Sequence, residues 1–363
     1  MTTGFLTNKR IAVTGACGSV GNELVAQLAS NKNGHPEEIV CIDNNESALF
    51  FVEQRYLVDE RISCVLADVR DDSKLKSAFS GIDIVFHAAA LKHVVLTERA
   101  PAEAIKTNVL GVQNVIDAAE HNNVGIVIFT SSDKAVNPTS VMGTSKLMGE
   151  RMITAANSSR KHENSVFAST RFGNVLGSNG SVYQIFRNQI ASGGPVTITD
   201  AEMSRFVMSI EESVRLVIES ARVARGGEVF VTKMPVLRIV DLADAMIQVF
   251  APMHSIDPAS IGIDVIGTKP GEKLYEELMS DEETRRTVEL SEFFAVLPAF
   301  RGIYRDIEYQ YEAFVSDQIE DPYISSVQRK LDVQEIVELL TDYNLIGETE
   351  TSQLTRYWPG ENG

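Results

Sequence analysis

Long apolar runs are missing from this chain, and that absence removes a whole class of readings. No stretch is long enough to span a bilayer, and the opening residues, MTTGFLTNKR, lack the apolar segment of a signal peptide. The expectation is a cytoplasmic protein with no membrane span. Cysteine is scarce: Cys17, Cys41 and Cys64 are the only three in 363 residues, beside predicted strands and the first glycine loop. That pattern excludes a disulfide framework and points to a reducing compartment. Asn45-Glu-Ser47, Asn157-Ser-Ser159 and Asn179-Gly-Ser181 match the glycosylation pattern, but in such a compartment the matches are chance. The six His show no paired spacing, so no metal site is expected. Positive charge is the scarcer sign, 33 Lys and Arg against 50 Asp and Glu, for a net charge of −17. Nucleic acid and anionic membrane are therefore excluded as main partners. A negatively charged ligand must be met by locally placed Arg, Lys and backbone N–H groups.

What is present is a regular alternation of strand and helix. Strands are expected at Arg10 to Thr14, Ile39 to Ile42, Ile62 to Leu66, Ile84 to Phe86, Ile126 to Phe129 and Val166 to Thr170. Helices are expected near 20–30, 47–56, 73–79, 102–121 and around Lys146. Repeated strand–helix units make an α/β fold, a doubly wound parallel Rossmann sheet covered on both faces. After Arg171 the alternation fails, and Gly, Ser, Asn and Pro become frequent through Pro195. Short strands (196–198, 229–232) then mix with helices (211–224, 240–250). The expected organisation is a nucleotide-binding domain over 1–172 and a smaller α+β substrate-binding part over 173–305. An acidic, aromatic arm and a closing helix (333–344) fill 306–363, and the chain is free to cross between the first two.

The first strand runs into Gly15-Ala16-Cys17-Gly18-Ser19-Val20-Gly21. Gly15 permits a tight turn, Gly18 lets backbone approach a pyrophosphate, and Gly21 permits close helix–strand packing at a helix N-terminus that favours anions. The spacing is looser than the strict dinucleotide fingerprint, but it stands where that fingerprint belongs. The second strand ends at Asp43, placed to hydrogen-bond an adenosine ribose. Asn44, Asn45 and Glu46 follow, with no cation there for a 2′-phosphate, so NAD is expected rather than NADP. Asp68-Val69 stand where adenine would lie. Ala88-Ala89-Ala90, after the fourth strand, are small enough for backbone to lie against the cofactor.

The fifth strand ends in Thr130-Ser131-Ser132-Asp133-Lys134, followed by a turn at Asn137-Pro138 and a helix carrying Met142 and Lys146 on one face. Together with Gly15-x-x-Gly18-x-x-Gly21, His87-Ala-Ala-Ala90 and Asn108, this cluster resembles the extended short-chain dehydrogenase/reductases. Ser132-Asp-Lys-Ala-Val-x-Pro138, Arg171-Phe-Gly-Asn-Val-Leu-Gly-Ser178 and Lys269-Pro-Gly-Glu-Lys-Leu-Tyr-Glu276 resemble the nucleotide-sugar 4,6-dehydratases, nearest to those acting on UDP-N-acetylglucosamine. The resemblance covers about residues 9–298.

That resemblance implies an internal redox cycle. Hydride leaves sugar C4 for bound NAD, water is eliminated across C5 and C6, and the hydride returns to C6. It implies Lys134 as the C5 base, Asp133 as the acid at the C6 oxygen, Ser132 on the 4-hydroxyl and Lys146 on the nicotinamide ribose. A Lys base needs a depressed pKa, for which Lys146, the cofactor and partial burial are the expected causes. Where short-chain dehydrogenases carry Tyr, this chain has Met142, so Asp133 must also receive the 4-hydroxyl proton. On the substrate side Lys92, His93, Asn174, Arg205, Arg238 and Glu272 are candidate contacts for sugar, diphosphate or ribose, each weighed against a solvated surface charge. Asn108 is expected to brace the catalytic loop. The rivals are a C5-inverting sibling, a UDP-sugar 4-epimerase and a non-catalytic NAD-binding protein; the family habit is a homo-oligomer.

Overall fold

The computed structural model describes residues 4–158, 165–178, 180–268, 271–300 and 307–347. Ser159 and Asn179 of the glycosylation-like triplets, Lys269-Pro270 and Asp306 lie outside them.

The first units follow expectation to within a residue or two: β1 (Arg10–Thr14), α1 (Ser19–Ala29), β2 (Glu38–Asp43), α2 (Glu46–Arg55), β3 (Ile62–Leu66), α3 (Asp72–Ala78) and β4 (Ile84–His87). β1 pairs in parallel with β2 and β4, and β2 with β3. Successive side chains point to opposite faces. Ile11 and Val13 join an apolar cluster with Leu24 and Leu28 of α1, while Ala12 joins another with Leu75 of α3. Both faces of the central strands β1 and β4 are covered by helices, which is why their interiors are apolar, whereas the edge strand β3 is partly exposed.

A short helix, α4 (Val94–Arg99), precedes the one expected over 102–121, which is itself three pieces: α5 (Pro101–Ala104), a π-helical turn over Ile105–Leu110, and α6 (Gly111–His121). Ala100 leaves the helical region (φ −133°, ψ 61°), and Pro101 then takes the first position of the next helix. β5 (Ile126–Ser132) runs three residues past its expected end. Thr130, Ser131 and Ser132 pair with Thr170, Arg171 and Phe172 of β6 (Val166–Phe172). Between them α7 (Val141–Ala156) starts at Ser140, whose hydroxyl accepts from Gly143 N at 3.2 Å.

The second half holds β7 (Asn174–Val175), α8 (Val182–Ala191), β8 (Val196–Ile198), β9 (Ser204–Met208), α9 (Ile210–Val223) and β10 (Val229–Thr232). Then come β11 (Val236–Arg238), α10 (Ile239–Met253), β12 (Ile263–Val265), β13 (Glu277–Met279), α11 (Asp281–Thr284), β14 (Thr287–Leu290) and β15 (Phe293–Val296). β16 (Phe314–Ser316), β17 (Tyr323–Ile324) and α12 (Val333–Asp342) follow. Among the described residues the main sheet has ten strands in the order β16-β14-β15-β10-β6-β5-β4-β1-β2-β3. β10 therefore leaves the smaller part and adds in parallel to β6, with β15 antiparallel beyond it. α9 packs beside α1 on one face of the sheet, and α3, α6 and α7 cover the other. The smaller part is built on α8, α10 and α12 around a separate apolar cluster. Strand order reverses between β1 and β4, and such a switch point opens a crevice at the strand ends.

Candidate active site

Gly15 ends β1 with φ +72°, and its N–H donates to Ile42 O at 2.8 Å, tying the turn to β2. A Cβ on Gly15 would lie 2.6 Å from Ala89 N, so no side chain fits between this turn and the backbone after β4. Ser19, Val20 and Gly21 form the first turn of α1, where a Cβ on Gly21 would meet Gly15 O at 2.0 Å. Asp43 receives Cys17 N at 2.9 Å on one oxygen and Asn45 N at 2.9 Å on the other. A cavity of about 540 Å³ opens here, lined by Gly15, Cys17, Gly18, Asp43, Asn44, Asp68, Val69 and Ala88 to Ala90. Ten of the expected cofactor residues thus share one wall. Arg70, absent from the expected set, lines it too. Its guanidinium holds Asp68 at 2.6 Å and Glu103 at 3.1 Å, and Asp68 is pushed down to about 2 chiefly by that hydrogen bond. Backbone walls, a helix N-terminus without a side-chain cap and an acid at the end of β2 fit a dinucleotide.

The strand-end residues lie beside this wall. Asp133 is fully buried; its Oδ1 accepts from Ser132 Oγ (2.7 Å), Lys134 N (2.9 Å) and Lys134 Nζ (3.0 Å), and Oδ2 has no protein partner. Lys134 Nζ also stands 3.4 Å from Asn174 Oδ1 and 3.7 Å from Glu276 Oε1. One expectation is overturned here. Burial pulls the Lys134 ammonium down, but Asp133 and Glu276 outweigh it and hold the pKa above its ordinary value. Lys146, on α7, is depressed instead, pulled down to about 8 by burial. Its Nζ donates to Thr130 O at 2.8 Å and lies 4.5 Å over the Phe129 ring. Met142, one turn earlier on α7, is buried.

A second cavity of about 380 Å³ is lined by Lys134, Asn174, Arg205, Glu272, Lys273 and Glu276 against an apolar wall from α8 and Ile239. Arg205 is buried rather than a solvated surface charge, donating to Ser204 O, Leu274 O and Lys273 O. Glu272 accepts from Thr199 Oγ1 at 3.2 Å. Three expected contacts fall outside this lining. Arg238 turns onto Asp241 at 2.7 Å. His93 precedes α4 and faces Gly180. Lys92 is exposed at the rim after β4, and partial desolvation pushes its ammonium down.

A family model described as "Polysaccharide biosynthesis protein" matches residues 11–298. The chain belongs to this family. It is 47% identical over 81% of its length to an uncharacterized membrane protein of Methanocaldococcus jannaschii, covering 87% of that protein. It is 36% identical to a UDP-glucose 4-epimerase of Rickettsia canadensis (95% of this chain, 98% of the other). A UDP-N-acetylglucosamine 4,6-dehydratase (inverting) of Campylobacter jejuni is 35% identical (85% and 89%). Among solved structures, Pen from Bacillus thuringiensis superposes with a TM-score of 0.84 at 35% identity, covering 93% of this chain and 98% of that one. Within the polysaccharide biosynthesis family the chain is thus an extended short-chain dehydrogenase/reductase of the nucleotide-sugar dehydratase and epimerase group. Among the described residues no helix is long and apolar enough to cross a membrane, and no cluster of ligating side chains could hold a metal.

The family resemblance pointed to the strand end but not to Glu276 as a site residue. Glu276 closes the Lys269–Glu276 motif that helped carry the resemblance, but of that motif only Glu272 stood out as a contact, because the charged neighbours of Glu276 (Asp133, Lys134 and Arg205) are remote in sequence.

Proposed function

We propose that the chain is an NAD-dependent UDP-N-acetylglucosamine 4,6-dehydratase, forming a UDP-4-keto-6-deoxy-N-acetylhexosamine for surface-glycan synthesis. The observation that carries this reading is the pairing, at the end of β5, of a buried carboxylate with an amine that opens into the second cavity. A dehydratase needs both groups, one for each proton it moves. The bound dinucleotide supplies a hydride acceptor for C4 and a hydride donor for C6. Asp133 receives the C4 hydroxyl proton, since the Met142 thioether cannot, and delivers it to the C6 oxygen, which leaves as water. Lys134 removes the C5 proton and later returns one. Ser132 orients the 4-hydroxyl, and Asn174 and Arg205 meet the diphosphate sugar. NAD is favoured over NADP because the Arg70 guanidinium is already held by Asp68 and Glu103, leaving Asp43 to meet a free ribose 2′-hydroxyl.

The epimerase reading keeps a place through the 36% identical relative that bears that name. Incubation with UDP-N-acetylglucosamine and mass spectrometry separates the two: a product lighter by one water is expected, whereas an isobaric product identifies an epimerase. Dinucleotide retained without turnover identifies a binding protein. Lys134→Ala should lose dehydration by about 10²–10⁴-fold while NAD stays bound. Proton NMR of the product formed in deuterated water reports the C5 configuration. We propose a homo-oligomer, which light scattering measures directly.

A further inference from the structure

The dehydratase reading requires Lys134 as a neutral amine, yet its surroundings hold it as an ammonium. Its proton must go somewhere before C5 can be attacked. We propose that Glu276 is that acceptor: it takes the proton from Lys134 and holds it while the sugar is processed, so that the C5 base is the Lys134–Glu276 couple. This inference rests on the dehydratase reading of the same site.

Geometry carries it. Glu276 ends the loop before β13, and its main chain is clamped by Ser325: Glu276 N donates to Ser325 Oγ at 2.9 Å, and Ser325 N donates to Glu276 O at 2.9 Å. The carboxylate is thereby fixed in the wall of the second cavity with a side-chain exposure of 3%. Oε1 faces Lys134 Nζ at 3.7 Å and Arg205 Nε at 3.8 Å, while Oε2 is buried and has no hydrogen-bond partner in the protein. A carboxylate that served only to anchor a cation would have both oxygens bonded. The groups facing it are Lys134 and Asp133 from the end of β5, Arg205 from β9 and Lys273 from its own loop. Burial, with Asp133 adding to it, favours the protonated acid over the carboxylate.

The transfer balances. At 3.7 Å the proton crosses through one bridging water. An N–H bond of the Lys134 ammonium breaks with its electron pair left on nitrogen, the water takes that proton and passes on one of its own, and an O–H bond forms on Glu276. A part-buried ammonium and a buried carboxylate become a neutral amine and a neutral acid, which removes the desolvation cost of the charged pair. The amine takes the C5 proton and gives one back after the hydride returns. Lys134 then recovers a proton from Glu276 through the same water, and the site is reset with no net exchange of protons with solvent. Asp133 carries only the proton that ends in the departing water.

The test is the isosteric variant Glu276→Gln, read through the pH profile of kcat/KM for dehydration. In the wild type the acidic limb reports protonation of the couple and lies above the ordinary carboxyl range. With the amide in place of the carboxylate, the active form requires Lys134 to lose its proton to solvent. The limb should then move to higher pH by at least one unit, with activity partly recovered in alkali. An unmoved limb with uniformly lower activity reduces Glu276 to a structural part. A limb moved to lower pH reduces it to a charge that merely raises Lys134. Both results overturn the proposal. A second measurement needs no turnover: carbon-13 NMR of side-chain-labelled glutamate should show one carboxyl titrating above the ordinary range, absent in Glu276→Gln and raised further in Lys134→Met. Failure to see that resonance overturns the inference even in an active dehydratase. A wild type that makes no dehydrated product while the resonance titrates as expected overturns the dehydratase reading instead.

Discussion

Lys146 shows how one side chain sets function against stability. Its ammonium is buried on α7, bonded to one carbonyl and resting over one ring, with a pKa near 8. In the unfolded chain a lysine titrates near 10.4. The folded value is the lower one, so between about pH 8 and 10.4 the unfolded state binds more protons and stability rises with pH. Below pH 8 both states are charged and the full cost, about 3 kcal/mol by the size of the shift, is present. The bond to Thr130 O offsets roughly 1 kcal/mol of it. Lys146→Met should therefore unfold at a higher temperature than the wild type at pH 7, with the gain shrinking toward pH 10. It should also lose turnover if this amine holds the cofactor ribose. Melting curves across that range decide the matter, and a gain that is flat with pH would refute the buried-charge account.

The pieces between β4 and β5 act as a bracket. Asn108, in the π-helical turn, donates to Leu91 O at 2.9 Å and to Ser145 Oγ at 2.9 Å, and accepts from Leu91 N at 2.8 Å. It ties the Ala88–Leu91 wall of the dinucleotide cavity to the helix that carries Lys146. Asn108→Ala removes both bonds to the part-buried Leu91 backbone and the buried bond to Ser145 and should cost about 1–3 kcal/mol, with NAD affinity falling more than the midpoint of unfolding alone explains. Calorimetric titration beside chemical denaturation tests this; unchanged affinity would reduce Asn108 to packing. From the sequence Asn108 is expected to brace the catalytic loop, whereas its bonds run to Leu91 and Ser145; the broken helix was not readable, because continuous apolar spacing hides a π-helical turn. The same limit appears at β5, where Thr130 to Ser132 read as a polar loop but pair fully with β6. Residues supplied by consecutive strand–helix units (Gly15, Asp43, Asp68, Ala88) converged as expected, since local topology alone brings them together. The second cavity draws on β7, β9 and the loop before β13, and long-range pairing of that kind leaves no periodic trace.

At the scale of the whole molecule, sequence composition divides the chain near Arg171, but the packing does not. Arg171 is almost fully buried and binds Glu150 of α7 at 2.6 Å, Glu283 of α11 at 3.1 Å and Leu278 O at 2.8 Å. β6 needs β10 to complete its second edge, and α9 covers the sheet face it shares with α1. A fragment ending at residue 172 keeps Glu150 but loses Glu283, β10 and α9 together. It would expose an unpaired central strand, an apolar sheet face and a partly compensated guanidinium. That fragment should show helical far-ultraviolet dichroism without fixed near-ultraviolet signals, bind a hydrophobic dye and unfold without a sharp transition. In the full chain, Arg171→Met leaves two buried carboxylates facing each other without their cation and should cost about 3–5 kcal/mol. A fragment that melts cooperatively and holds NAD would mean that the first six strands are a self-sufficient domain. The later strands would then be an addition to the sheet rather than part of what makes it stable.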